Sequence, residues 1–312
     1  MRPLLAVLVA ALVAALVAAA VPAQARTLHV GPDGPFRTLA AAATAARRGD
    51  VVQIAAGDYA QCAVWRADGL TIAGAGMAAT RIHDLSCEGK GLFVITGRNV
   101  TVRDLTLAGA TVRDRNGAGI RAEGTDLTVE RVGFENNENG ILSMAAPGAT
   151  ITVRDSVFLR DGVCAIFCAH GIYAGHIGHL VVQHSRFAGI REGHHIKSRA
   201  LATDISDCDI SDGPDGTASY QIDVPNGGRV SILRNRLEKG PHTENAETAI
   251  AIGEEGVSNP TPSILVADNS FRNDGPVPAA FLRNRTTTAA VLRGNRLDGA
   301  VIPLVGPGTV QP

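Results

Sequence analysis

The chain has 312 residues, of which 29 are basic and 30 are acidic, for a formal net charge of −1 with histidine neutral. This balance excludes the strongly basic surface by which many proteins bind nucleic acids, so no nucleic acid partner is expected. Aromatic residues make up only 4% of the chain, whereas 35 residues are glycine, a composition that favours a fold with many tight turns.

The first 25 residues have the pattern of a secretory signal peptide. Arg2 supplies a positive charge, residues 4–21 are apolar, and Ala23-Gln24-Ala25 forms a small-x-small cleavage site. The apolar run is about long enough to span a membrane, so a retained anchor is the alternative, but no basic stop-transfer flank follows it. We therefore predict cleavage before Arg26, a single domain over residues 26–312, secreted or periplasmic location, and no stable membrane insertion after cleavage.

After the signal, the pattern changes from one helix to many short strands. Residues 36–48, FRTLAAAATAARR, predict an alanine-rich helix that ends at Gly49-Asp50. Short β-like runs follow at residues 50–54, 69–72 and 99–107, and no second amphipathic helix of convincing length appears. The sequence therefore predicts an all-β fold.

Internal repeats predict how these strands are arranged. Segments such as VRDLTL from residue 102, VERVGF from 129 and VRDSVF from 153 recur at intervals of 23 to 34 residues. This variable period predicts a single-stranded right-handed parallel β-helix, a solenoid of about nine or ten coils. One position per repeat is expected to form an internal hydrogen-bond ladder: Leu105, Val132, Ser156, Ser185, Cys208, Asn235, Asn269 and Asn295.

The five cysteines fit this architecture and an exported protein. Cys62 and Cys87 lie about one repeat apart, so a disulfide between adjacent coils is expected. Cys164 and Cys168 could pair across a short loop. Because the number of cysteines is odd, one thiol remains unpaired, and we expect it to be Cys208, buried in place of a serine or asparagine.

The N-terminal stretch resembles a known superfamily. Residues 27–59, TLHVGPDGPFRTLAAAATAARRGDVVQIAAGDY, are similar to the N-terminal cap and first coil of the pectin-lyase-like right-handed parallel β-helix proteins, in which a short helix ends in Gly-Asp and a first strand ends in a Gly-x-Tyr turn. The nearest look-alikes are uncharacterised exported bacterial β-helix repeat proteins. The resemblance implies an N-terminal helix that caps the coil stack against edge-to-edge pairing. It also implies that acidic polysaccharides bind along the side of the helix.

One stretch concentrates chemically active residues. Residues 193–199, GHHIKSR, include one of only three lysines, and six of the nine histidines lie in residues 170–195. If Ile196 points into the core, strand alternation places His195, Lys197 and Arg199 outward. Aligning the repeats then predicts three outward columns with a spacing of about 4.8 Å between coils. Tyr173, Lys197 and Asp223 form the first, Gly171, His195 and Gln221 the second, and Gly175, Arg199 and Pro225 the third.

These columns predict a groove for an acidic polysaccharide or cell-envelope glycan. β-Elimination of a uronic acid requires a cation that neutralises the sugar carboxylate and a base that removes the adjacent proton. Arg199 suits the carboxylate because it stays charged, Lys197 is the candidate base, and His195 or Tyr173 could donate a proton, with Asp223 in the same column. Five further residues are candidates for substrate binding: His194, Tyr220, Gln221, Asn226 and Glu254.

Motifs of related enzymes narrow the reaction class. Residues 193–197 only echo the Gly-His-Gly and Arg-Ile-Lys segments of polygalacturonases, and the accompanying aspartates are missing, so a hydrolase is not expected. Residues 220–223 match the first half of the Tyr-x-x-Asp-Pro-His segment of alginate C5-epimerases, but Val224-Pro225 replaces Pro-His. A lyase or C5-epimerase is the first hypothesis. A non-catalytic β-helix that binds glycans or proteins of the cell envelope is the alternative.

No motif indicates a metal. Cys164, Cys168, His170 and His176 do not have the spacing of a zinc site, and the aspartates of residues 204–215 lack the spacing of a calcium loop. Glu254-Glu255 could bind calcium or could close one wall of the groove. Calcium is therefore a possible cofactor, although no motif supports it. The protein is expected to be a monomer.

Overall fold

The computed structural model describes residues 25–312, and the predicted signal peptide lies outside this part of the chain except for Ala25. The described chain is a parallel β-solenoid of about eleven turns, slightly more than the nine or ten that the repeat length predicts. Within residues 25–312, no helix is both long enough and apolar enough to cross a membrane.

Each coil contributes strands to three faces. The first face contains Thr27–Val30, Val51–Ile54, Thr71–Ala73, Ala146–Arg154, Ile177–Gln183, Ala202–Ser206, Arg229–Leu233, Ile264–Ala267, Ala290–Arg293 and Gly308–Gln311. The second contains Gly57–Tyr59, Thr80–His83, Val157–Leu159, Arg186–Ala188, Asp209–Ser211, Arg236–Lys239, Ser270–Asn273 and Arg296–Gly299. Two long strands bend and belong to both of these faces, Val100–Ala108 and Leu127–Glu135. The third face is a ten-stranded sheet of Ala63–Trp65, Gly91–Ile95, Ala118–Ala122, Asn139–Ser143, Ile172–Ala174, Ile196–Ser198, Ile222–Val224, Thr248–Ile252, Ala279–Asn284 and Val301–Val305.

The core is built from like side chains stacked in successive coils. Strand alternation turns every second side chain inward, and parallel pairing then places equivalent side chains above one another. Phe134, Phe158 and Phe187 show this, with ring centroids 4.5 and 4.4 Å apart and nearly parallel planes. Each coil is therefore stabilised mainly by its two neighbours.

The predicted internal ladder is present in the bend between the first two faces. Each side-chain oxygen accepts the backbone N–H of the ladder residue one coil earlier, which satisfies buried amides that the strands leave unpaired. The steps are Ser156 to Val132, Ser185 to Ser156, Asn235 to Cys208, Asn269 to Asn235 and Asn295 to Asn269, at 2.8–3.2 Å. Cys208 is buried and unpaired, as predicted.

The outer side of the same bend carries exposed charges, here called the turn column. Its members all have φ between 47° and 62°: Asp104, Arg131, Asp155, His184, Asp207, Arg234, Asp268 and Gly294. Cations and carboxylates meet between adjacent coils, as where the Arg234 guanidinium donates to both carboxylate oxygens of Asp207 at 2.8 Å. The turn column is thus a row of ion pairs that face solvent.

Residues 25–312 contain one helix, α1, which is Leu39–Ala45 and is shorter than the predicted residues 36–48. Thr38 ends it on the N-terminal side by accepting the N–H of Ala41, and Ala46 already has an extended backbone with ψ of 140°. The buried side of α1 packs against Thr27–Val30 and Ala63–Trp65, the first strands of two faces, and so covers the N-terminal end of the solenoid. Gly57–Tyr59 is a strand rather than the expected turn.

Both expected disulfides are formed, Cys62–Cys87 and Cys164–Cys168. The second closes an antiparallel hairpin, Val163–Cys164 with Cys168–Ala169, which projects from the solenoid and is here called the hairpin. A second projection is the loop of residues 253–261, which backbone hydrogen bonds tie to Pro225 and Asn226. These two projections stand beside the strand Ile196–Ser198.

Candidate active site

The site is centred on three successive strands of the third face. Ile196 pairs with Ile172 and Ile222, and all three are fully buried. Lys197 pairs in register with Tyr173 on one side and Asp223 on the other. The predicted register of Tyr173, Lys197 and Asp223 is therefore confirmed, and we call these three residues the cleft column.

Lys197 lies between two carboxylates. Its Nζ is 3.2 Å from Oδ2 of Asp223 and 2.5 Å from Oε1 of Glu255. The Asp223 side chain is only 2% exposed, and this burial raises the pKa of Asp223 to about 6 although Lys197 acts in the opposite direction. The cleft column thus holds a carboxyl group with a pKa about two units above its ordinary value.

Arg199 joins the cleft column to the loop of residues 253–261. Its guanidinium donates through Nε to the Tyr173 hydroxyl oxygen at 2.8 Å, through Nη1 to Asn226 Oδ1 at 2.5 Å, and through Nη2 to Glu255 Oε2. Burial raises the pKa of Glu255, but the hydrogen bonds from Lys197 and Arg199 together outweigh it, so the pKa lies below its ordinary value. Glu255 is therefore a carboxylate held by two cations.

A stack of aromatic rings runs beside these charges. The rings of His170 and His194 are 4.8 Å apart, and those of His194 and Tyr220 are 4.9 Å apart. His170 Nδ1 accepts the backbone N–H of His194 at 2.9 Å, and His194 Nδ1 accepts that of Tyr220 at 3.2 Å. Because an amide N–H can only donate, the proton of each neutral ring is on Nε2.

Both histidines of the stack are held in the neutral form. Burial, and then the charge of Lys197, lowers the pKa of His194 to about 3. Burial also places the pKa of His170 well below its ordinary value. His194 Nε2 is 3.4 Å from Asp223 Oδ2, the carboxylate oxygen that Lys197 also contacts. At neutral pH both rings can donate through Nε2, and neither carries a charge.

An open cavity of about 810 Å³ lies over this assembly, within the range of small-ligand clefts. Tyr173, His194, Lys197 and Arg199 line its floor, together with His170. Glu255 stands on one side, and the hairpin stands on another. We call this cavity the cleft.

No protein-family model matches the chain, and no curated protein matches its sequence. Solved structures are similar to it in fold. A protein of Geobacillus virus E2 is 14% identical, with a TM-score of 0.52 over 83% of this chain and 52% of that one, so the chain spans about half of its length. Pectin methylesterase from Erwinia chrysanthemi is 11% identical over 89% of this chain and 80% of its own, with a TM-score of 0.43. The A-module of a mannuronan C-5 epimerase from Azotobacter vinelandii is 16% identical over 85% and 91%, with a TM-score of 0.42.

The fold is a single-stranded parallel β-helix, or β-solenoid. The identities are low, so the likeness concerns the path of the chain and not the residues of the cleft. Every assignment in the cleft of this β-helix therefore depends on its own geometry.

The structure corrects the predicted second column. His195 is fully buried, with Nε2 2.7 Å from Asp212 Oδ1, and Gln221 is also buried and donates to Asp212 Oδ2 at 3.0 Å. The prediction that both face the groove is wrong, because the strand begins only at Ile196. Gly193 has a φ of +53°, so the chain before Ile196 turns and does not follow the alternation of a strand. His195 and Gln221 belong to a polar cluster inside the β-helix.

Four other predicted residues lie around the cleft without lining it. Asp223 lies behind Lys197 and His194. Asn226 binds Arg199 and donates to the Gly256 carbonyl oxygen at 3.2 Å, so it positions both the guanidinium and the loop. Tyr220 ends the aromatic stack. Glu254 accepts a hydrogen bond from Arg285 Nε at 2.6 Å and points away from the cleft cations.

His170 and Glu255 are the main cleft residues absent from the predicted set. His170 precedes His194 by 24 residues, the same offset that separates Ile172 from Ile196, so the alignment of the repeats could have found it. Glu255 sits in the inserted loop, where no repeat fixes its position. Glu255 binds Lys197 and Arg199 of the cleft, and Glu254 binds Arg285. Through Glu255 the loop forms a wall of the cleft.

Among residues 25–312, no group of three or more histidine, cysteine, aspartate or glutamate side chains is placed to hold a metal ion. The Cys164 and Cys168 sulfurs are joined to each other.

Proposed function

We propose that this β-helix is an exported, polysaccharide-active protein whose cleft binds a uronic-acid-containing glycan and catalyses β-elimination or C5 epimerisation. One observation carries the proposal: Lys197 and Arg199 already bind a carboxylate in the cleft, that of Glu255. A sugar carboxylate that displaces Glu255 would meet the same two cations. Charge-assisted hydrogen bonds of this kind are the strongest that neutral-pH side chains offer to a uronate.

Both reactions begin with loss of the proton on C5, the carbon that bears the carboxylate. Two cations on the carboxylate stabilise the negative charge that develops there as the C–H bond breaks. In elimination, the electron pair forms a C4–C5 double bond, the C4–oxygen bond breaks, and the leaving oxygen takes a proton. In epimerisation, a proton returns to C5 from the opposite face. Either outcome requires one group that accepts a proton and one that donates.

The geometry favours Tyr173 and His194 for these proton transfers. Tyr173 is the proton acceptor: once its phenolic proton has passed to solvent, the phenolate oxygen takes the proton from C5. The Arg199 guanidinium, which donates to this oxygen at 2.8 Å, stabilises the phenolate. His194 carries its proton on Nε2 and can only donate from that atom. Lys197 touches two carboxylates, an arrangement that suits binding of the sugar carboxylate better than the base role expected from the sequence. Asp223 acts through Lys197 and His194 as a positioning residue.

A non-catalytic glycan-binding β-helix is the second candidate. It is favoured by the fact that Glu255 already neutralises both Lys197 and Arg199, as in a structural ion-pair network. This candidate predicts that uronate polymers are retained on the protein with no product after long incubation.

Incubation with a panel of uronate polymers tests the proposal. New double bonds detected by absorbance indicate a lyase, and exchange of the C5 proton in heavy water without cleavage indicates an epimerase. Tyr173→Phe should lower kcat by at least about 100-fold with little change in substrate affinity. Tyr59→Phe, which alters a tyrosine in the strand Gly57–Tyr59 outside the cleft lining, is the control. Binding without either product would support the second candidate.

Export belongs to the same proposal. Two disulfides in the described chain fit an oxidising compartment. N-terminal sequencing of protein recovered from the periplasm or the medium should begin at Arg26, and light scattering should show a monomer. A mature protein that retains residues 1–25 would contradict the expected cleavage.

A further inference from the structure

The hairpin at the edge of the cleft exposes two apolar side chains. Ile166 and Phe167 at its tip are 90% and 83% exposed, more than any other large apolar side chain in residues 25–312. Both line the cleft together with Tyr173, His194 and Arg199. Large apolar side chains held in water at the mouth of a cavity are usually contact surfaces for a ligand or partner.

The hairpin is built to hold this tip in place. The Cys164–Cys168 disulfide closes it, Ala165 N–H donates to the Phe167 carbonyl oxygen at 3.1 Å, and Cys164 N–H donates to the Glu192 carboxylate. Gly193 fits closely under its base, where a Cβ would lie 2.1 Å from the Ala169 carbonyl oxygen. The tip therefore has a defined position over the cleft and loses little conformational entropy on binding.

The cleft thus has two chemically different sides. Lys197 and Arg199 offer positive charge on the floor, and Ile166 and Phe167 offer apolar surface at the rim. A pyranose uronate has the complementary form, with a carboxylate at one edge of the ring and C–H groups on its faces. A protein or lipid partner would match the apolar rim, but it would not account for the two cations converging on one carboxylate beneath it.

We propose that Ile166 and Phe167 form a sugar-binding subsite, in which Phe167 packs on the C–H face of a ring of the polymer whose carboxylate Lys197 and Arg199 bind. This inference rests on the proposed uronate ligand and adds an element that selects for the sugar ring as well as for charge. It predicts that simple carboxylates bind weakly and that ring-containing oligouronates bind much more tightly.

A tryptophan reporter tests the contact directly. The only tryptophan, Trp65, is fully buried, so Phe167→Trp introduces the only exposed indole. Hexagalacturonate and hexamannuronate are the probes. We expect at least one of them to change the fluorescence of Phe167→Trp, and Leu85→Trp, at an exposed position outside the cleft lining, to stay unchanged. A silent Phe167→Trp protein that binds the same probe by calorimetry would overturn the proposal.

Affinity measurements separate this inference from the function on which it rests. By calorimetry, Phe167→Ala should bind the hexamer about tenfold more weakly, and Leu85→Ala should bind it like the wild type. If the wild type binds the hexamers and Phe167→Ala binds equally well, only the subsite is wrong. If the wild type binds no uronate polymer, the proposed function is wrong and the subsite with it. If light scattering shows a dimer that Phe167→Ala dissociates, the tip contacts a second copy and not a sugar.

Discussion

The cleft column and the turn column place cations beside carboxylates by the same means. In both, parallel pairing sets the residues of adjacent coils about 4.8 Å apart. They differ in burial: the side chains of Lys197 and Asp223 are 10% and 2% exposed, whereas those of Arg234 and Asp207 are 53% and 28% exposed. Solvent screens the exposed pair, while burial raises the pKa of Asp223 and lowers that of its neighbour His194. A solenoid therefore produces ion pairs along its whole length, and burial decides which of them acquire unusual chemistry.

The largest expected effect is on the buried pair. Lys197→Met should lower the free energy of unfolding at pH 7 by about 1–3 kcal/mol, because Asp223 loses its cation and must take up a proton to stay buried. Denaturant unfolding measures this change. Adding Asp223→Asn to Lys197→Met should recover part of the loss, since no buried charge then remains. If Lys197→Met alone costs no more than removal of Arg234, burial does not distinguish the two columns.

The pH dependence of stability should reveal two opposing groups in the cleft. The pKa of Asp223 rises from 3.8 to about 6 on folding, so between these values the folded protein holds a proton that the unfolded chain has lost, and stability falls as pH rises. The pKa of His194 falls from 6.5 to about 3. The unfolded chain then holds the extra proton, and stability rises with pH. Between about pH 4 and 6 these two effects cancel, and His170, whose pKa also falls on folding because of burial, leaves a net rise of stability with pH from the cleft groups.

Removing either Asp223 or His194 should leave the effect of the other on the pH dependence of stability uncompensated. Asp223→Asn should make the free energy of unfolding rise more steeply between pH 4 and 6, by up to about 1.4 kcal/mol per pH unit. His194→Gln should change the slope by a similar amount in the opposite direction. Chemical unfolding at several pH values measures both slopes, with His83→Gln as a control at a histidine outside the cleft. Equal slopes in all four proteins would contradict the assigned shifts.

Much of the fold and part of the site follow from the repeats alone. Alignment of Ile172, Ile196 and Ile222 gave the correct register for the cleft column, because a strand alternates with a period of two and pairs in parallel with its neighbour. The same alignment identified the ladder through Cys208. What repeats encode is therefore the position of a side chain on a regular strand.

Side chains outside regular strands could not be placed in this way. His195 looked equivalent to an outward residue, but the bend at Gly193 turns it into the interior, where Asp212 binds it. Glu255 and Phe167 lie on insertions between coils. Their contacts depend on the conformation of each loop, which no neighbouring repeat shares. The cleft residues that the alignment of repeats does not find are therefore those on loops inserted between the regular coils.

A smaller effect is expected at the carboxylate that occupies the cleft. Glu255→Gln removes the group that competes with a ligand for Lys197 and Arg199, so galacturonate should bind about tenfold more tightly. Glu254→Gln is a close control, since the adjacent Glu254 pairs with Arg285 instead. Calorimetry compares the variants with the wild type. Weaker binding by Glu255→Gln would mean that Glu255 holds the two cations in position for the ligand and does not compete with it.

The smallest effect is expected in the turn column. Arg234→Gly removes an ion pair with good geometry, yet the pair is exposed, and Arg234 has a φ of 55° that glycine adopts without strain. Gly294 already occupies the equivalent turn two coils further on, with a φ of 62°. Loss of the exposed ion pair destabilises the folded protein slightly, and relief of the backbone strain stabilises it slightly. The denaturation midpoint of Arg234→Gly should therefore stay within experimental error of the wild type at physiological salt. A loss of stability as large as that of Lys197→Met would show that the exposed ion pairs of the turn column stabilise the β-helix as strongly as the buried pair of the cleft column. The charges of the cleft would then be ordinary structural ion pairs.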